Sequence, residues 1–521
     1  MIPPTYQNIA DRKTCQLQIE TFIFSEEKDF SMEPTLVIIG GGVAGLAAGC
    51  YAQINGLSST VYEMHSIPGG LCTAWKRKDF TFDLCIHWLI GSKPGTSLHR
   101  LWEDLGIVQG RQFFTSDCWT EVRDQDGHQL SLYNDPDRLK TELLEKFASD
   151  KKFITSFIKG YRKFVGVDIA VDHSLTVLMR GIPFILAMKK YAMPVSELAK
   201  DIKDPLFRQL LTVGMDWHDQ SAAFTMMGMG IQASGDGGYP VGGSLPFVKA
   251  LESRYLSLGG TIHYQSRVTS VITERDRAVG IVLEDGTEKR ADAVISAADG
   301  HTTIFNWLKG AYIDEKIEGY YRDFTPFPPL VFVSLGVNAT FADEPLQMTL
   351  ILKDPVTIGG VPQNSITIRN HSRDQTFAPP GKCTLTLMIS SDIDYWSSFD
   401  RHSQEYRAEK EKIADTVIDL VSLRLPGIRE KIEMIDVATP LTFVRYTGNW
   451  RGSYEGWLMN QKSILLQMPF TLPGLSRFYM AGQWVMPGGG LPSSALSAQS
   501  AIKQLCKDLG RPFSTQSTSP K

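Results

Sequence analysis

The sequence predicts an α/β fold in which a Rossmann-type nucleotide-binding domain carries an inserted α+β substrate domain. The first observation is a buried apolar strand at 36–39 that runs into glycines with G-x-G-x-x-G spacing. The second is an Ala-rich helix after them, followed by another strand that ends in an acidic residue at position 63. The third is a strand, a glycine loop and a small-residue helix that recur at 477–506. Because related pieces stand near both ends, we expect one domain that the chain leaves and re-enters.

The first glycine motif predicts a dinucleotide site. Its glycines permit a tight turn and let the backbone approach a pyrophosphate, which then rests on the N-terminus of the following helix. The acidic residue lies where a carboxylate can accept hydrogen bonds from a ribose. An ordinary βαβ turn that binds nothing is the alternative, but strand, glycines, helix, strand and acid occur here in order. The predicted contacts are Gly40, Gly42, Val43, Ala44, Gly45, Glu63 and Met64.

A second glycine turn follows at 67–75. It contains Gly69, Gly70 and Leu71, and it resembles the GG motif of flavin-dependent amine oxidases and phytoene desaturases, in which a strand and turn pass alongside the flavin. A simple surface turn is the alternative, since Pro-Gly pairs form turns. The resemblance implies that the dinucleotide is FAD and that these three residues lie beside it.

The segment 477–506 resembles the C-terminal flavin-binding motif of phytoene desaturases and carotenoid isomerases. It offers a second helix N-terminus with free backbone N–H groups. The pieces between 239 and 299 and again at 439–448 follow the order of the same family. The chain is therefore identified, by resemblance, as a member of the phytoene desaturase, carotenoid isomerase and retinol saturase-like superfamily, which implies a GR2-like FAD-binding domain. The further FAD contacts implied are Val268, Gly482, Gln483, Gly489, Gly490 and Leu491.

One residue departs from that family pattern. After the aromatic-Asp pair Phe82-Asp83, the family usually has a glycine two residues later, and this chain has Cys85. A side chain there fills space that the family leaves free, so we expect an altered local geometry beside the flavin or the substrate.

The order of the motifs predicts a discontinuous FAD-binding domain with two insertions. The first insertion is expected to be helical and the second to contain a sheet with helices. The predicted boundaries are an N-terminal extension at 1–33, FAD-binding segments at 34–105, 240–310 and 430–510, a helical substrate-side or membrane-facing insertion at 106–239, the substrate domain at 311–429, and a tail at 511–521.

Composition narrows the classes of function. A formal net charge of −4 at pH 7 gives no basic footprint for nucleic acid. Seven scattered cysteines argue against a disulfide framework, and no clustered cysteines or histidines predict a metal site. The first 33 residues lack the pattern of a secretory signal. We therefore expect a cytoplasmic location, with membrane association left open.

The apolar segment 175–194 keeps membrane association open. It ends in Lys189 and Lys190, and Arg180 and Pro183 interrupt it, so it is too short and too broken to span a bilayer. A surface helix that dips into one leaflet is one interpretation, and a buried cap over the substrate cavity is the other.

The family resemblance implies a long apolar polyene as substrate, which is desaturated, saturated or cis/trans-isomerised, with desaturation favoured. An apolar channel needs few polar residues, so the sequence gives little indication of the catalytic ones. The sequence does not indicate the electron acceptor. We expect Trp88, Trp217 and Trp484 to line the substrate cavity. The candidates for proton transfer, each of which has a purely structural interpretation as well, are His87, Asp216, His218, Asp236 and Tyr239.

Three other classes are weaker. Prenyl-binding escort proteins of small GTPases resemble this fold but lack a functional flavin site, whereas the glycine motifs here are intact. An amine oxidase would need an aromatic cage for a polar amine. Ser500 and Lys503 form an S-x-x-K match without the companion motifs of serine acyl-transfer enzymes.

Overall fold

The computed structural model describes residues 33–168, 175–216, 220–463, 466 and 468–516, and the proton-transfer candidate His218 and the predicted wall residue Trp217 lie outside them. The α-helices are Val43–Ile54, Ser97–Asp104, Pro136–Lys146, Lys151–Tyr161, Leu175–Lys190, Val195–Leu198, Pro205–Met215, Ala222–Ala233, Ser244–Ser257, Glu315–Asp323, Ile393–Ser397, Gln404–Arg424, Pro440–Thr447 and Gly490–Asp508.

A five-stranded parallel sheet forms the centre of the nucleotide-binding side. In spatial order its strands are Thr261–His263, Ser58–Tyr62, Thr35–Ile39, Ala293–Ser296 and Phe478–Met480. Helices Val43–Ile54 and Gly490–Asp508 pack together over it, and their small side chains permit the close approach. An antiparallel meander stands beside the sheet, with strands Val268–Glu274, Arg277–Leu283 and Glu288–Arg290. The predicted α/β fold class is confirmed.

A seven-stranded sheet forms the second side of the molecule. Its strands in spatial order are Ile432–Ala438, Leu330–Val337, Cys383–Ser390, Val361–Asn370, Gln347–Ile358, Cys118–Arg123 and Gln129–Tyr133. All pairs are antiparallel except Gln347–Ile358 with Cys118–Arg123. Helix Gln404–Arg424 packs its apolar residues against one face.

The seven-stranded sheet crosses the expected segment boundaries. Two strands come from the insertion 106–239, which we expected to be helical, and one comes from 430–510. In Cys118–Arg123, Thr120 and Val122 are buried whereas Glu121 and Arg123 are half-exposed, which is the period-two alternation of a strand with one buried face. This strand is short and has charged residues on its outer face. The helical patterns on either side of it therefore led us to expect a helical insertion.

Helices and a short ribbon complete the insertion 106–239. Asp135 and Asp204 cap two helices that begin with proline, a pairing that favours helix initiation. Short strand Phe113–Phe114 of the insertion and strand Leu89–Ile90, which precedes it, flank Gly237–Pro240. Outside the insertion, Ala74–Arg77 pairs with Phe80–Asp83 in a hairpin.

The segment 175–194 forms helix Leu175–Lys190, which contains Pro183. Phe184 packs edge-on against Phe164, with ring centroids 5.8 Å apart, whereas Ile182 and Leu186 are 48% and 60% exposed. Within the described part of the chain, no helix is long and apolar enough to cross a membrane.

Candidate active site

A long cleft opens at the carboxyl ends of the parallel strands, where open α/β sheets bind their ligands. Its lining residues come from the first glycine loop, the GG turn, the meander and the C-terminal glycine loop. They include Gly40, Gly42, Val43, Ala44, Glu63, Met64, Gly69, Gly70, Leu71, Cys72, Cys85, Arg267, Val268, Trp307, Tyr446, Glu455, Gln483, Gly490 and Leu491.

Each glycine of the first motif is required for a different physical reason. Gly40 has φ +100° and donates its N–H to the Tyr62 carbonyl at 2.8 Å, which makes the tight turn. A Cβ on Gly45 would lie 1.9 Å from the Gly40 carbonyl oxygen, so the helix could not pack this close to the strand. A Cβ on Gly42 would meet no protein atom nearer than 3.8 Å and would stand in the open cleft. Gly42 therefore keeps space free for a ligand.

Glu63 is fixed at the end of its strand. Its Oε2 accepts the Gly41 N–H at 2.6 Å, and its Oε1 accepts the His65 N–H at 2.7 Å. The carboxylate is buried and held in one position at one end of the cleft. A carboxylate has further lone pairs, so it can still accept hydrogen bonds from ribose hydroxyls.

The GG turn lies directly on the first glycine loop. Gly69 donates its N–H to the Gly41 carbonyl at 2.9 Å, and both glycines of the turn have positive φ. A Cβ on Gly69 would lie 2.3 Å from the Cys72 carbonyl oxygen. This packing brings the two glycine motifs to one wall of the cleft.

Two helices begin at the cleft without a capping side chain. Helix Val43–Ile54 starts after Gly42 and helix Gly490–Asp508 after Gly489, and neither N-cap makes a side-chain hydrogen bond. Their first N–H groups and the positive ends of their dipoles are therefore available to a ligand. Together with the open space at Gly42 and the fixed Glu63, these groups fit an elongated dinucleotide such as FAD.

Most predicted contacts line the cleft, and three do not. Gly45 serves helix packing, as described above. Gly482 has φ +105° and donates its N–H to Ser497 Oγ at 2.7 Å, and a Cβ on Gly489 would lie 2.6 Å from the Glu455 carbonyl oxygen. These three glycines shape the walls without facing the cleft.

Cys85, the departure from the family glycine, lines the cleft with Cys72. Its interaction with the neighbouring Cys72 thiol and its burial raise the pKa of Cys85 well above the ordinary value. The thiol therefore stays protonated at neutral pH. Two residues later, His87 lines the cavities on the seven-stranded sheet, so the segment 85–87 runs between the cleft and these cavities.

A cavity of about 510 Å³ lies against that sheet. Its lining mixes aromatic and apolar side chains with amides and hydroxyls, so it is less apolar than we expected. The residues include His87, Trp88, Trp119, Val213, Asp216, Gln347, Thr349, Gln363, Thr367, Arg369, Met388 and Ser390. A narrow recess of about 50 Å³ adjoins it and shares His87, Trp88, Trp119, Gln347 and Arg369.

The candidates for proton transfer divide into two groups. His87 lines both the cavity and the recess, Tyr239 lines the recess, and the exposed Asp216 lines the cavity. Asp236 is buried and accepts the Lys93 N–H at 2.8 Å, and burial raises its pKa. Its position supports a structural role in holding the 91–93 loop.

The predicted wall residues also divide. Trp88 lines the cavity, with its ring 5.9 Å from that of Trp119. Trp484 is buried against Trp457 at 5.0 Å, because the turn after Gly482 directs it into the core.

Sequence reasoning missed Glu455. It lies on the loop 452–456, which packs against the C-terminal glycine loop, and it lines the cleft near Cys85 and Gln483. Burial raises the pKa of its carboxyl to about 8, partly offset by the positive charge of Arg369. Within the described residues its carboxyl makes no hydrogen bond or ion pair. An acid between two glycines was the available signal.

Arg369 was missed as well. It occupies an odd position of strand Val361–Asn370, where Ser365, Thr367 and Arg369 face the cavity and Ile366 and Ile368 face the core. Burial lowers the pKa of its guanidinium to about 10, so it stays charged at neutral pH. In a strand whose alternate residues are polar, the arginine looked like an ordinary surface residue.

Comparisons with known proteins agree with this architecture. The family model described as flavin containing amine oxidoreductase matches residues 43–505. The chain is 26% identical over 502 residues to the chloroplastic prolycopene isomerase of Daucus carota, covering 92% of this chain and 81% of that protein. It is 22% identical over 512 residues to the lycopene-forming phytoene desaturase of Pseudescherichia vulneris, covering 91% of this chain and 99% of that protein.

Solved structures show the same fold. An oxidoreductase from Methanosarcina mazei superimposes with a TM-score of 0.57 at 19% identity, covering 90% of this chain and all of that one. A triple mutant of putrescine oxidase gives a TM-score of 0.59 at 14% identity, covering 91% of this chain and 99% of that one.

Proposed function

This chain belongs to the family of flavin-containing amine oxidoreductases, and within that family we propose that it acts on carbon–carbon bonds of a hydrophobic polyene. FAD is its cofactor, and the protein is an FAD-dependent oxidoreductase. The relatives named above as a prolycopene isomerase and a phytoene desaturase support a carotenoid-like or isoprenoid-like substrate.

The cleft supplies the contacts that we assign to FAD. Glu63 would hold the ribose of the adenosine, and the N–H groups after Gly42 would hold the pyrophosphate. The GG turn, Gln483 and the Gly490 helix N-terminus would hold the rest of the cofactor. FAD would there supply or accept the two electrons that reducing or forming a carbon–carbon double bond requires.

We assign proton transfer to Glu455. With a pKa of about 8, its carboxyl is mainly protonated at neutral pH and can both give and take a proton. It lines the cleft, and the charge of Arg369, which lines the cavity, acts on it. His87 stays a candidate, because it faces the cavity from the partition between the two spaces.

One observation carries the choice of a carbon–carbon substrate over an amine. The guanidinium of Arg369 faces the cavity and makes no ion pair with any described residue. A protonated amine would bring a second positive charge into the same partly buried space, where like charges repel strongly. Trp88 and Trp119 instead offer an aromatic surface to an apolar chain.

Anaerobic mixing tests the proposal. The protein is mixed with carotenoid precursors, with retinoids and with simple amines, while flavin absorbance is followed and products are identified. We expect polyenes to bleach the flavin or to be converted, and Glu455→Gln to slow this at unchanged flavin content. Bleaching by amines alone would refute the proposal.

Isomerisation is the second candidate, since the prolycopene isomerase match spans nearly the whole chain. A protonated Glu455 suits the transient protonation of a polyene. Isomerised product that forms only with pre-reduced flavin, without net consumption of an electron acceptor, would favour isomerisation over desaturation.

We also propose that helix Leu175–Lys190 contacts a membrane surface. Ile182 and Leu186 are exposed apolar side chains, and Lys189 and Lys190 are exposed at the end of the helix. The double variant Ile182→Ser and Leu186→Ser should float less with anionic liposomes than the parent protein. Leu423→Ser removes a similarly exposed leucine elsewhere and should not change flotation. Equal flotation of all three proteins would refute the contact.

A further inference from the structure

The recess beside the cavity carries several polar groups among its aromatic and apolar side chains, although an apolar substrate needs none of them. Its described lining includes the amides of Gln232 and Gln347, the phenol of Tyr239 and the guanidinium of Arg369, and no acidic residue. At about 50 Å³ it admits a small group and not a hydrocarbon chain. The recess is therefore shaped for one end of a ligand whose body lies in the larger cavity.

Arg369 leaves a positive charge in the recess without a counterion. Its strand pairs it with Gln347 and Thr386, which are neutral. The acid that influences the pKa of Arg369 is Glu455, which is mainly protonated at neutral pH. Burial and the adjacent Arg369 lower the pKa of His371 to about 3, so this imidazole adds no second charge. A partly buried cation without a partner costs free energy that an anionic ligand would recover.

Tyr239 supplies an unused donor at the same place. Its side chain is 6% exposed, and its hydroxyl has no hydrogen-bond partner among the described residues. Phe114 at 4.9 Å and His371 at 6.2 Å, measured between ring centroids, hold the ring in position. Burial, and then the negative charges of Asp83 and Asp374, raise the pKa of Tyr239 well above its ordinary value, so the hydroxyl keeps its proton and can donate it in a hydrogen bond. A buried hydroxyl without a partner is rare, and a ligand in the recess that Tyr239 lines would supply the acceptor it lacks.

We propose that the recess binds a carboxylate at one end of the substrate, held by the Arg369 guanidinium and the Tyr239 hydroxyl. The substrate is then an acid-ended polyene or isoprenoid whose apolar chain lies against Trp88 and Trp119. A guanidinium fork matches the two oxygens of a carboxylate, and charged hydrogen bonds of this kind discriminate strongly. This inference rests on the proposed polyene chemistry and adds the end group that the enzyme recognises.

Binding of all-trans-retinoic acid and all-trans-retinol tests the carboxylate site, because the two probes share a carbon skeleton and differ in the end group. Dissociation constants are measured with the oxidised, FAD-loaded protein by quenching of tryptophan fluorescence. We expect the acid to bind at least about tenfold more tightly than the alcohol, the ratio expected of one charge-assisted hydrogen bond. Arg369→Met should abolish this preference by weakening acid binding, and Arg369→Lys should keep part of it.

Two further variants complete the design. Tyr239→Phe should weaken binding of the acid by about threefold to tenfold, the effect of one neutral hydrogen bond. Arg290→Met removes an exposed arginine far from the cavity and should keep the preference. Flavin content and thermal stability show whether each variant is folded. If Arg369→Met does not fold, the lysine and phenylalanine variants still test the site.

The outcomes separate this inference from the proposed function. Equal binding of acid and alcohol, or a preference that survives in Arg369→Met, overturns the carboxylate site even if polyenes still react with the flavin. A clear preference in a protein whose flavin reacts with no polyene supports the site and refutes the proposed function.

Discussion

Replacing Glu455 by glutamine should make the stability of the protein less dependent on pH. The pKa of the Glu455 carboxyl rises from an ordinary 4.5 to about 8 because the folded protein buries it. A carboxyl whose folded-state pKa is raised costs stability as pH rises, starting near its unfolded pKa and levelling off above the folded one. With about 1.4 kcal/mol per pKa unit, the full cost is at most about 5 kcal/mol. The side chain keeps partial contact with the cleft, so we expect about 2 kcal/mol between about pH 5 and about pH 9.

Urea unfolding of wild type and Glu455→Gln at about pH 5, about pH 7 and about pH 9 measures this effect, with tryptophan fluorescence and circular dichroism as probes. The variant should gain stability relative to wild type as pH rises. Glu430→Gln changes an exposed glutamate and should track wild type at every pH. A constant difference between wild type and Glu455→Gln would show that the carboxyl ionises in the folded state as it does in water, and it would remove the basis for Glu455 as a neutral acid.

Three further predictions follow from the cleft and its surroundings. Gly42→Val should fold but lose FAD, because the new side chain enters open space, whereas Gly45→Val should also lower the melting temperature, because its Cβ would lie 1.9 Å from a backbone oxygen; flavin absorbance and thermal melting separate the two, and equal behaviour would contradict the assignment. Acid precipitation should release all the flavin into the supernatant, since the Cys85 thiol beside the cleft stays protonated and unreactive; flavin in the pellet would be inconsistent with this. Asp236→Ala should destabilise the protein by about 1–3 kcal/mol through the lost bond to Lys93, with flavin content unchanged; a normal melting temperature combined with lost turnover would make it catalytic instead.

The sequence predicted the nucleotide-binding side well because its signals are local. The spacing of Gly40, Gly42 and Gly45, followed by Glu63, encodes a turn, a close packing and an acceptor within one βαβ unit. The second side was less accessible to prediction. Strand Cys118–Arg123 is short and forms a hairpin with Gln129–Tyr133, but its other neighbour, Gln347–Ile358, lies more than two hundred positions away, so no local pattern marks its place in the large sheet.

The missed site residues share that cause. Arg369 and Glu455 acquire chemical significance only when the fold encloses them, because an unpaired charge and a raised pKa are products of burial. The glycines around Glu455 are a weak signal, since an exposed loop can have the same pattern, and Arg369 stands in a strand that looks exposed. Tyr239 was chosen for its nearness to the glycine turn after it, and the unpartnered state of its hydroxyl could not be inferred from sequence.

The order of strands in the parallel sheet has a consequence for how the protein is made. In chain order, the first strand of the sheet is residues 35–39 and the last is Phe478–Met480, and helix Gly490–Asp508 completes the cleft. During synthesis the first strands leave the ribosome long before their last neighbour exists, so the FAD cleft closes only after helix Gly490–Asp508 has been made. Until then, the edge of strand Ala293–Ser296 lacks its partner and is open to wrong pairing. Because the cleft is lined from both the first glycine loop and helix Gly490–Asp508, FAD would favour the closed cleft, and its supply during expression should raise the soluble yield.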